Sequence, residues 1–173
     1  TFLSILDTVH KLVQDGSLVA YRPTVARHHH PQGPRQLWLT PETYKWCLPP
    51  GDHPDLRVTD DSLAHLGDQL NAFTWGDFMD YRGGIDMRRL CPDERDISEI
   101  KSHLKKPQLR IFGWFVLPKL FVGAHQTLRD DLELKKGTKW DAAIAKTDQL
   151  RTELVGSVDF FHVDPGEYVQ NPK

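Results

Sequence analysis

Asp96-Ile97-Ser98-Glu99-Ile100-Lys101, Leu109-Arg110-Ile111-Phe112-Gly113-Trp114-Phe115-Val116-Leu117 and Leu120-Phe121-Val122-Gly123-Ala124-His125-Gln126 are short runs in which β-branched and aromatic residues concentrate. Lys105-Lys106-Pro107-Gln108 and Pro118-Lys119 separate them, and both break regular structure. Connections that short cannot hold a crossover helix, so the stretch predicts three strands in an antiparallel meander. In the middle run Ile111, Gly113, Phe115 and Leu117 share one face, and Arg110, Phe112, Trp114 and Val116 share the other. Both faces are largely apolar, which suits a central strand covered on both sides. Arg110 stands out as a charge beginning a buried strand, and His125 as an imidazole ending the next one.

Working outward, the stripes Leu63, Leu66, Leu70, Phe73 and Trp140, Ala143, Ile144, Thr147, Leu150, Leu154 recur at helical spacing. They predict helices over Thr59 to Phe73 and Lys139 to Val155. Trp75, Phe78 and Met79 are expected to continue the first as a second short helix. Ahead of both, Phe2 to Val13 is amphipathic with Gly16 as its stop, and Pro41 to Cys47 reads as a helical turn capped by Thr40. Ser17 to Ala26 and Arg35 to Thr40 read as a hairpin around His28, His29 and His30, a polar tip taken as solvated loop. Val158 to Val163 is a candidate last strand.

These parts give an α+β fold: a central antiparallel meander packed by two or three amphipathic helices, with an N-terminal helix-hairpin extension. The best boundary falls at Gly51-Asp52-His53-Pro54-Asp55, dividing an extension over 1–55 from an α+β domain over 56–173, or marking a loop within one continuous domain.

With 173 residues, 39% hydrophobic and 27% charged, the chain is long enough to bury a sizeable core. A net charge of -2 supplies no global cationic excess, so contact with nucleic acid requires a local basic patch. Cys47 and Cys91 match no metal spacing and are expected as reduced thiols of a cytoplasmic protein. No apolar run spans a membrane, and no Gly-rich phosphate loop, Gly-x-Ser-x-Gly elbow or His-Glu-x-x-His helix appears. Neither a metal nor a cofactor is expected.

The order of parts from Met87-Arg88-Arg89-Leu90 through Ile97 to Lys101, Leu109 to Phe115, Phe121 to His125 and the helix after Thr138 resembles the RelE/HigB family of ribosome-dependent messenger-RNA-cleaving toxins. The chain differs in its slightly acidic balance, in the residues ahead of the pattern, and in Gln126-Thr127-Leu128-Arg129 where Lys-Lys commonly follows the His. The resemblance implies a metal-independent endoribonuclease of a toxin-antitoxin pair, its partners being RNA or the ribosome and a cognate antitoxin protein. It assigns His125 as acid or base, Arg110 as phosphate clamp and Arg129 as second cation. Lys101, Arg88 and Arg89 become RNA-binding contacts. These residue types suit the chemistry: His titrates near neutral pH and Arg pairs with phosphate through a planar fork. The competing expectation is a non-catalytic protein-binding module, with Arg110 paired to a carboxylate such as Glu99 and with Trp38, Tyr44, Trp46 and Trp75 exposed for a partner.

Overall fold

The computed structural model describes residues 2–23, 34–47, 55–77, 79–80, 86–90, 96–103, 106–133 and 138–156. His28 to His30, Gly51 to Pro54, Phe78, Cys91 and Val158 to Val163 lie outside the described residues. The fold is α+β. Helices α1 (Phe2–Gln14), α2 (Pro41–Trp46), α3 (Asp60–Trp75), α4 (Arg129–Glu133) and α5 (Thr138–Val155) surround strands β1 (Val19–Ala20), β2 (Gln36–Leu39), β3 (Met87–Arg89), β4 (Ile97–Lys101), β5 (Leu109–Leu117) and β6 (Leu120–Leu128).

The strands form one six-stranded sheet in the order β1-β2-β6-β5-β4-β3. β4, β5 and β6 are the antiparallel meander. It is extended at one side by β3, antiparallel to β4, and at the other by β2, which lies parallel to β6. The β1–β2 hairpin forms as expected and continues the same sheet, with Leu37 opposite Phe121 and Leu39 opposite Gly123.

Close approach at the middle of the sheet depends on two glycines. A Cβ at Gly113 would lie 1.9 Å from the Val122 carbonyl oxygen, and one at Gly123 would lie 2.6 Å from a Leu39 methyl and 2.7 Å from an Ile111 methyl. The ladder between β5 and β6 shifts register at Phe112/Gly113. Hydrogen at Gly123 lets side chains from both neighbouring strands reach over β6, and at Gly113 it admits the β6 backbone and the Phe121 ring.

Each face has its own helices. On one, Leu63, Leu66, Leu70 and Phe73 of α3 pack with Leu37, Leu39, Ile111, Phe115 and Phe121. On the other, α1 and α5 cover Trp38, Trp114, Val116 and Val122, and Leu132, Ala143 and Ile144 enclose Ile97 and Phe112. α3 begins with reciprocal capping between Thr59 and Ser62 and ends at Gly76, whose φ of 85° closes the helix in the left-handed region. The expected second short helix does not form at Met79: past Gly76, Arg35 donates to the Asp77 carbonyl at 2.7 Å, and Met79 enters the core from non-helical chain. No helix among the described residues is long and apolar enough to cross a membrane.

Candidate functional site

Register decides which charges meet. Arg88 lies opposite Glu99, Lys101 opposite Arg110, Glu99 opposite Phe112, Phe112 opposite His125, and Arg110 opposite Thr127. Directly opposed residues share a face, so Arg88, Glu99, Lys101, Arg110 and His125 all lie on the side of the sheet that α5 covers. Arg129 follows at the start of α4, its backbone N–H donating to the Gln108 carbonyl at 2.9 Å and its charge acting on Arg110. Arg89 faces the other way along β3 and pairs with Asp96.

Glu99 is the centre of the group. It has no exposure, yet carries a charge that must be compensated. Arg110 Nη1 donates to its two oxygens at 2.7 and 2.6 Å, and Arg88 Nη2 lies 3.1 Å from Oε1. Arg110 Nη2 donates to Gln108 Oε1 at 2.7 Å. Trp140 of α5 roofs both guanidinium groups, with its ring 4.9 Å from Arg110 and 5.3 Å from Arg88. The Trp140 ring in turn meets Phe112 edge to face.

The cations outnumber the carboxylate that holds them. Lys101 is 8% exposed, and burial first, then Arg110 and Arg88, lower its ammonium from the ordinary value, with Glu99 and Asp86 opposing. Burial likewise lowers Arg110, opposed by Glu99. His125 is half-buried against the Phe112 ring at 6.1 Å. Burial and Lys146 hold its imidazolium below the usual histidine range while Glu42 opposes, so the neutral base is favoured near pH 7.

Of the residues named from the sequence, Arg88, Lys101 and Arg110 are therefore brought together around Glu99, His125 lies on the same face but on β6 beyond Phe112, Arg129 acts on Arg110, and Arg89 is apart. Sequence reasoning missed Trp140 as the roof, Gln108 as an arginine partner and Lys146 beside the histidine. The aromatic docking surface is corrected. Trp38 is 8% exposed, under α1 with the His10 ring 6.1 Å away, and Tyr44 and Trp46 pack against the α3-side core. Trp75 is half-buried, and Leu56 is the exposed large hydrophobic among the described residues.

Comparison with protein-family models, curated proteins and solved structures finds no match. Among the described residues no group of three or more His, Cys, Asp and Glu side chains is arranged to hold a metal ion. Cys47 offers no thiolate, since burial pushes its pKa up to about 12. A second histidine lies just past the Lys101 end of β4. His103 Nε2 meets the Asp86 carboxylate and its Nδ1 lies 3.4 Å from Gln69 Nε2, so both ring nitrogens are engaged and the ring pins α3 to the segment entering β3.

Proposed function

We propose that this chain is a RelE/HigB-like toxin or toxin-derived protein that binds RNA through the α5-side face and cleaves it without a metal. The observation that carries the reading is the strand register that puts Arg88, Lys101, Arg110 and His125 on one face of the sheet. Cleavage at a phosphodiester needs a base to take the proton of the 2′-hydroxyl as its oxygen attacks phosphorus. It also needs an acid to protonate the departing 5′-oxygen, and cations beside the crowded phosphorane. His125, held toward its neutral form, serves as the base. Arg88, Lys101 and Arg129 supply the cationic field. Cytoplasmic action on messenger RNA, with or without the ribosome, and restraint by an antitoxin protein belong to the same proposal.

The ion pair between Arg110 and Glu99 favours a second reading, a non-catalytic module that binds its partner through the same face without cutting. Induced expression separates the two. The toxin reading expects growth arrest by the wild-type chain, relieved by His125→Ala at unchanged thermal unfolding. Arrest that persists in His125→Ala removes the assigned base and favours binding alone, and no arrest by the wild type removes the active-toxin reading.

A further inference from the structure

We infer that Arg88, rather than Arg110, is the side chain that receives an RNA phosphate, and that Glu99 and Trp140 are its positioning residues. The inference rests on the RNA-binding reading above and moves the phosphate contact to a different strand.

Arg110 is poorly placed to take a ligand. Its side chain is 6% exposed, Nη1 is spent on both Glu99 oxygens and Nη2 on Gln108. Arg88 is held by the same carboxylate and under the same indole, but its side chain is 48% exposed. A guanidinium carries its N–H donors in one rigid plane. Glu99 fixes one end of that plane through Nη2, and Trp140 fixes its tilt from above. With 48% of its side chain exposed, Arg88 keeps solvent-accessible surface beyond the edge that Glu99 holds.

An exposed arginine ordinarily loses rotamer freedom when it grips an anion. Here packing has already restricted it. The local charge balance adds a pull, because Lys101 and Arg110 stand beside Arg88 and are offset only by Glu99 and, at Lys101, by Asp86. A tetrahedral oxyanion approaching from solvent meets a guanidinium edge that is oriented in advance and relieves repulsion among the cations behind it. Phosphate fits this edge because Arg pairs with it through parallel N–H donors.

The test uses the full chain, a fluorescein-labelled single-stranded RNA followed by anisotropy across a salt series, and inorganic phosphate followed by phosphorus NMR line width. Arg88→Gln is expected to weaken RNA binding about tenfold or more, and to make the dependence of log affinity on log salt shallower by about 0.7. Trp140→Leu is expected to weaken binding several-fold with the salt slope unchanged, since no charge is lost, and Trp140→Phe to recover most of the affinity. RNA bound by Arg88→Gln with wild-type affinity and slope overturns the inference while leaving RNA binding intact. Phosphate broadening lost in Arg88→Gln, in a chain that binds no RNA, upholds Arg88 as an oxyanion receptor and ends the RNA reading. A wild-type chain that binds neither probe ends both.

Discussion

The two faces of the central sheet bury their side chains in different ways. The α3-side face is a continuous apolar cluster in which Phe73, Phe115 and Phe121 meet in tilted and edge-to-face contacts with centroids 5.1 to 6.2 Å apart. The α5-side face is apolar only along part of its length. Beyond Trp114 and Phe112 it gives way to Glu99 and Lys101, and to Arg110 and Arg88 under Trp140. One face can be accounted for by the removal of hydrocarbon from water. The other keeps charges where desolvation opposes them, an arrangement that contributes little to stability compared with well-packed apolar residues of similar size. That asymmetry concentrates the buried charges on the α5 side.

The sharpest contrast comes from one truncation on each face. Phe73→Ala removes a fully buried ring from the meeting point of α3 with β5 and β6 and is expected to cost about 3 to 5 kcal/mol in denaturant unfolding, equally at low and high salt. Glu99→Gln conserves volume but leaves Arg110 without its carboxylate, and is expected to cost roughly 3 kcal/mol. Added salt or phosphate should return part of that loss, whereas it should do nothing for Phe73→Ala. Salt-independent losses in both variants would erase the distinction between the faces.

A smaller effect separates them by pH. Burial and Lys146 depress His125 in the folded chain, so the unfolded chain takes up its proton more readily. The stability contributed by neutral His125 is therefore present above the unfolded value near 6.5 and is lost as pH falls through the lower folded value. Acidification from about pH 7 to about pH 5 should thus lower the melting temperature of the wild type more than that of His125→Gln. Parallel curves would place His125 in an environment that does not discriminate its charge states.

Much of this was readable in advance because periodicity is local. Ile111 and Phe115 fall on the α3 side, and Phe112, Trp114 and Val116 on the α5 side, as alternation along one strand requires. The meander followed from Pro107 and Pro118 limiting its connections, and α3 from the Leu63, Leu66, Leu70, Phe73 stripe. The parallel contact of β2 with β6 was not legible, since nothing within Gln36 to Leu39 names a partner so distant in sequence. Arg88 and Arg89 look alike in the sequence, yet alternation sends one to Glu99 and the other to Asp96 once β3 pairs with β4. Trp140 showed as an apolar position on a helix. Its place over two guanidinium groups depends on how α5 lies across the sheet, which helical spacing does not encode.

The most direct test of the central claim, that the charged end of the α5-side face is kept for a ligand rather than for stability, is denaturant unfolding of the double variant Glu99→Met/Arg110→Met. Replacing a buried ion pair by apolar residues of similar volume is often neutral or stabilising. The expected unfolding free energy lies within about 1 kcal/mol of wild type, or above it, despite the large loss expected from Glu99→Gln alone. A double variant that loses about 3 kcal/mol or more would contradict it, and would make the Arg110–Glu99 pair a structural element of the sheet like the aromatic cluster on the opposite face.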